Sequence, residues 1–174
     1  MIIEEIDFYE LCLDEGGVFY QDVYTLDKED FNEWVRANLT EVVTIDNYDV
    51  VAPDNNLVEE MHKRNYGHIY YQCHYSAKAV TILSDNIEYY TGFVERGSYP
   101  YPIITHSFNV LDGTVVDFAR LSSVDDPLEG GEDSFPHTYY GIQIPREFVL
   151  RYIQETLEEK SMRPLLVEWY LENM

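Results

Sequence analysis

Positive charge is what this sequence has least of: 11 Lys and Arg stand against 33 Asp and Glu, for a formal net charge of -22. A surface charged in this way repels phosphate backbones and anionic membrane surfaces, so direct binding to nucleic acid or membrane is not expected. Cysteine is nearly as scarce, with Cys12 and Cys73 far apart in the chain. The sequence also lacks a cleavable signal and any long apolar run, which together point to a reducing cytosol. The expected compartment is the cytoplasm, including the host cytoplasm of an infected bacterium. No repeat, linker or low-complexity tract divides the chain. Its 174 residues, 45% of them hydrophobic, suffice for one domain with a sizeable core. What the sequence has in plenty is tyrosine, 16 residues, whose rings can bury apolar area while their hydroxyls stay hydrated.

The chain opens on Ile2 to Tyr24, read as a strand or short helix followed by a strand pair around Glu15-Gly16-Gly17. Cys12, between Leu11 and Leu13, fits a small buried hydrophobe. Asp27 can cap a helix whose first turn is acidic and whose apolar face is Phe31, Trp34, Val35 and Leu39. Val42 to Ile45 is β-branched and reads as a strand. Pro53-Asp54 opens a further helix carrying Leu57, Val58 and Met61, stopped by Asn65 and Gly67. Near the other end, Tyr139 to Ile144 alternates as a strand. Pro145 suits a first helical position before Phe148, Val149, Tyr152, Ile153 and Thr156, and a last helix follows Pro164.

The chemically informative stretch is Gln72 to Leu83. It sets Cys73 at the start of a helix that is apolar on more than one face and therefore buried. A thiol there meets unpaired backbone N–H groups and the positive end of the helix dipole, which can lower a thiol pKa from about 8.5 to between roughly 3.5 and 7.5. Downstream, Asp112-Gly113 between two alternating apolar runs is a hairpin signal. With these two as the loop, Leu111 faces Thr114, Val110 faces Val115, Phe108 faces Asp117 and His106 faces Ala119. His106 and Asp117 then become diagonal neighbours on one face, about 7 to 8 Å apart at the backbone and within reach of a hydrogen bond. Cysteine on a helix start, then histidine, then a carboxylate on the paired strand is the order of a nucleophile, its base and the group that orients the base. The oxyanion of such a reaction needs a donor besides the Cys73 N–H, and Gln72, Tyr71 and Tyr70 are candidates that adjacency does not rank.

The pattern Cys73-x-x-Ser76-Ala77, Tyr90-Thr91-Gly92-Phe93-Val94, Pro102-Ile103-Ile104-Thr105-His106-Ser107-Phe108-Asn109 and Asp112-Gly113-Thr114-Val115-Val116-Asp117 resembles the transglutaminase-like and papain-like cysteine hydrolases. It is most similar to their small phage and bacterial members. There a Cys-x-x-Asn-Ala helix precedes a Gly-Tyr-Val, a His-Ala-Trp and a Gly-x-Val-x-Asp strand. The later Tyr139-Tyr140-Gly141-Ile142 resembles an aromatic-Gly-Ile segment of the same group. The likeness covers about half the chain, Gln72 to Pro145, with Ser76 where Asn is usual and Ser107-Phe108 in place of Ala-Trp. These departures bear on substrate choice. The resemblance implies one papain-like α+β domain over residues 1–174. Its parts would be a helical region to about residue 67, a catalytic core over 68–145 and C-terminal helices over 146–174, with the nucleophile helix on an antiparallel sheet.

The activity so implied is acyl transfer through a thioester by Cys73, His106 and Asp117, as a peptidase, amidase, deamidase or acyltransferase. The substrate would be a protein, a peptide or a small acyl compound. The acidic run from Leu121 to His137 could form a lid favouring a basic substrate, or a plain solvated loop. It lacks the ordered ligand spacing of a calcium loop. His62, His68, Cys73 and His74 are close in sequence but match no standard zinc spacing, so neither metal nor cofactor is expected. The alternative from another class is an acidic non-catalytic binder, such as a DNA mimic or an inhibitor of a host defence protein.

Overall fold

The computed structural model describes residues 3–14, 24–45, 59–60, 63, 73–96, 103–117, 137–158 and 163–174. After a short turn at Ile3–Glu5 come α1 (Phe8–Asp14), α2 (Lys28–Asn38), β1 (Thr40–Ile45), α3 (Cys73–Leu83) and β2 (Glu88–Glu95). They are followed by β3 (Ile103–Leu111), β4 (Thr114–Val116), β5 (His137–Ile144), α4 (Arg146–Thr156) and α5 (Leu166–Asn173). The architecture is α+β, with five helices among the described residues and a curled sheet that packs against α3. Strand order is β1-β5-β2-β3-β4 and every pairing is antiparallel. No helix of the described residues is long and apolar enough to cross a membrane. The strand pair expected after Glu15, most of the helix expected from Pro53 to Gly67 and the acidic run up to Pro136 lie outside the described residues.

Local chemistry explains most of these elements. Asp27 caps α2, its carboxylate accepting from the N–H groups of Glu29 and Asp30, and the helix then buries Phe31 and Val35. The segment after Ile2 forms the short helix α1 and not a strand, because Phe8 and Cys12 fall four residues apart on one face and are both buried. Pro145 is the N-cap of α4, one residue before the first helical position expected for it. At the hairpin, Asp112 and Gly113 take φ of 50° and 77°, the left-handed pair that a two-residue turn demands. Leu111 pairs with Thr114 and Val110 with Val115, as the turn chemistry requires. The ladder ends sooner than expected, at Asn109↔Val116, and Asp117 leaves the strand.

The sheet is covered on one face by helices. Phe8, Cys12, Phe31, Val35, Phe93, Ile142, Leu166, Val167 and Tyr170 form one apolar cluster. Ring pairs tie it together: Phe8 lies 4.7 Å from Phe93, and Phe31 and Trp34 meet Tyr170 edge-on at 5.1 and 5.2 Å. The N-terminal helices therefore pack against the last helix through one shared core. The opposite face holds a second cluster, Val94, Phe108, Val110, Val115 and Tyr139, within the curl. The side chains of β3 thus divide, with Ser107 and Asn109 turned toward α3 and His106, Phe108 and Val110 toward the second cluster.

All residues from Cys73 to Thr81 are buried, including several polar ones that need partners. Asn109 on β3 donates to the carbonyls of Ala77 and Glu88 and to Thr81 Oγ1 at 3.1 to 3.3 Å, locking α3 to the sheet. Lys78, fully enclosed, donates to the carbonyls of Arg163 at 2.9 Å and Glu158 at 3.3 Å, on the two sides of the α4–α5 connection. Burial pushes its ammonium down to about 8, against the partly compensating charges of Glu158 and Glu168. In the unfolded chain the same group titrates near 10.4, so folding is expected to gain about 3 kcal/mol from Lys78 as pH rises from about 8 to above 10. Chemical denaturation of wild type and Lys78→Met across this window measures it: the wild-type slope should exceed the variant's, and equal slopes would refute a strained buried ammonium.

Candidate active site

Cys73 is the first residue of α3, so the thiol sits where backbone N–H groups lack helical partners. It retains 9% of its surface, whereas Cys12 retains none, and both thiols are free. Ser76 Oγ bonds back to the Cys73 carbonyl at 3.1 Å, closing the first turn from inside.

His106 lies on β3 opposite Gly92, which in turn faces Gly141 on β5. A Cβ on Gly92 would stand 2.4 Å from the Tyr140 carbonyl oxygen, and one on Gly141 would stand 2.9 Å from the Phe108 ring. The glycine row beside the imidazole is therefore dictated by close backbone and ring approach. His106 Nε2 and Asp117 Oδ2 are 2.7 Å apart, and both side chains are buried. Since the carboxylate only accepts, Nε2 carries a proton; the tautomer is assigned from this hydrogen bond. Nδ1 is buried with no hydrogen-bond partner of standard geometry. Burial by itself would lower the imidazole pKa, but the charge of Asp117, then that of Cys73, and the hydrogen bond to Asp117 hold it well above the usual histidine value. Cys73 moves the opposite way. Burial would raise the thiol, yet the influence of the His74 and His106 imidazoles keeps it well below an ordinary thiol.

Three of the residues singled out by sequence are thus described here: His106 and Asp117 are bonded, and Cys73 stands at the start of α3. Gln72, Tyr71 and Tyr70 lie outside the described residues, as do His62 and His68. Among the described residues no group of three or more His, Cys, Asp or Glu is arranged to hold a metal ion.

Sequence reasoning overlooked two residues. His74, considered there only as a metal ligand, is buried with Nδ1 2.6 Å from Ser107 Oγ. Ser107 in turn donates to Thr91 Oγ1 at 3.0 Å and lies 3.4 Å from the Tyr89 hydroxyl. With the serine proton spent on Thr91, His74 Nδ1 is the donor to Ser107. A signal for this existed in the alternation that turns Ser107 toward α3 when His106 turns away. Tyr139 is the second: its hydroxyl donates to Asp117 Oδ2 at 2.8 Å. No local pattern could have found it, because it depends on β5 lying beside β2. Ser76 and Ser107, where the resembled pattern has Asn and Ala, are enclosed and hydrogen-bonded inside the protein. They support the start of α3 from inside.

Family models, curated proteins and solved structures were compared with the chain, and none matches. The fold and site define an α+β protein with a buried imidazole–carboxylate pair whose charge is felt by a thiol at a helix start.

Proposed function

We propose that this protein is a cysteine-dependent acyl-transfer enzyme on a papain-like or transglutaminase-like scaffold, working in a reducing cytoplasm. The observation that supports it is the buried His106–Asp117 bond together with the opposed shifts of His106 and Cys73. The Cys73 thiolate attacks an acyl carbon, and the carbonyl π electrons move to oxygen. Collapse of that adduct expels an amine, which takes the proton from His106, and leaves a thioester on Cys73. Water or a second amine then attacks the thioester, His106 accepts the released proton, and the thiolate is regenerated. Asp117 keeps the imidazole in one tautomer and balances its charge throughout. The acyl donor is a protein, a peptide or a small molecule, and the net charge of -22 favours basic ones.

The pH dependence follows from the two shifts. Cys73 is lowered, so thiolate persists as pH falls below about 8.5 and is lost only as pH passes its depressed value. His106 is raised, so the imidazolium is complete below about 6.5 and is lost only as pH climbs through its elevated value. The ion pair is intact between these two folded-state values, whereas the stability it contributes is greatest between the unfolded values of about 6.5 and 8.5 and declines on both sides. Iodoacetamide near pH 6 is therefore expected to alkylate Cys73 at least about tenfold faster than Cys12, the gain in thiolate being partly offset by lower intrinsic nucleophilicity. Equal, slow labelling of both thiols would refute the enzyme and favour an acidic binder, a reading that rests on net charge alone.

A further inference from the structure

We propose that Tyr139 is a positioning residue of this site, holding Asp117 as a fixed, charged carboxylate so that Asp117 can in turn hold His106. The proposal rests on the thiol reading above and adds a fourth member to it. The Tyr139 hydroxyl and His106 Nε2 converge on one atom, Asp117 Oδ2, at 2.8 and 2.7 Å. Two donors on a single oxygen favour the anion, because a protonated carboxyl offers them a weaker acceptor. The enclosure is complete: Tyr139 retains none of its surface and Asp117 3%. A carboxylate removed from water to this degree keeps its charge only through such partners.

The phenol has little freedom to leave. Its ring lies 5.0 Å from Phe108 in an edge contact and 5.9 Å from the His106 ring, and its backbone is paired to Val94 on one side and Val43 on the other. Ionisable groups along this chain of contacts include His106 on β3, bonded to Asp117, Cys73 on α3, whose charge acts on His106, and His137 on β5, beside the Tyr139 ring. His137 stands 6.3 Å from the Tyr139 ring. None of the others supplies the hydroxyl donor.

Removing that donor has a defined consequence. Asp117 accepts a proton at higher pH; the imidazolium then loses its counter-charge, and its own proton passes back to the Cys73 sulfur. Iodoacetamide labelling of Cys73 in full-length Tyr139→Phe should therefore lose its acid limb about one pH unit higher than wild type, with the plateau preserved. In an Asp117→Asn background the same substitution should move the limb no further. A folded Tyr139→Phe chain with an unmoved limb, or a limb that moves equally in the Asn background, overturns the proposal. A second measurement follows the Asp117 side-chain carboxyl carbon directly: its ionised chemical shift should persist to lower pH in wild type than in Tyr139→Phe. Titration of that carbon at the same pH in both chains also overturns it. A wild-type Cys73 that labels as slowly as Cys12 would refute the thiol reading instead, and the carbon titration would still decide Tyr139.

Discussion

Replacing His106 with alanine is expected to lower turnover of a simple activated ester such as p-nitrophenyl acetate by about 10²- to 10⁴-fold near neutral pH, the range lost with a positioned acid–base group. In the proposed reaction the imidazole has two tasks, and the substitution removes both. Its charge helps to keep Cys73 ionised, and it would take the proton from the group that resolves the thioester. The second is not taken over by His74, whose Nδ1 is bonded to Ser107 on the far side of the strand. The first is replaced in part, because the charge of His74 also acts on the thiol. Alkylation of Cys73 in the alanine variant should therefore shift toward alkaline pH without reaching the profile of a free thiol. The variant also leaves Asp117 buried with one fewer donor, at a cost of about 1 to 3 kcal/mol, so its melting point should be recorded beside its rate. Turnover within a few-fold of wild type would refute the assigned base.

Gly92→Ala is expected to be the most damaging single-atom change in the described core, by about 3 kcal/mol or more in denaturant unfolding. The added carbon would stand 2.4 Å from the Tyr140 carbonyl oxygen and 2.9 Å from the Gly141 Cα. Both obstacles are backbone, so no side chain can rotate away, and the β2–β5 ladder has to part. Since Gly92 is paired with His106 across β3, the displacement also reaches the imidazole, and Cys73 labelling should slow in whatever fraction still folds. Gly113→Ala is the contrast. Open space surrounds that position and only its φ of 77° opposes a side chain, so the cost should be about 1 kcal/mol with labelling unchanged. A Gly92→Ala chain as stable as wild type would contradict the register of the central strands.

Much of the site's layout follows from rules that act over a few residues. The Asp112-Gly113 turn sets the register of β3 against β4, and that register alone predicts that His106 and Asp117 can bond. The apolar run after Cys73 predicts a buried helix with the thiol at its start, and all of it from Cys73 to Thr81 is buried. The cap at Asp27 is equally local, an aspartate whose carboxylate serves the two N–H groups that follow it. In each case neighbours in sequence settle the structure between themselves.

What the chain could not announce is the order of its strands. Tyr139 reaches Asp117 only because β5, 22 residues later in sequence, lies against β2 in the order β1-β5-β2-β3-β4. Strand order is decided by which apolar faces can be buried together, a sum over distant contacts that no short window contains. The same holds for Lys78, whose ammonium finds the carbonyls of Glu158 and Arg163 80 and 85 residues away, and for His74, whose partner Ser107 is 33 residues away. The sequence alone determined the helix that presents the thiol and the turn that pairs imidazole with carboxylate, because both are matters of local backbone geometry. Tertiary packing alone decided what surrounds them, because burial and charge belong to the assembled core.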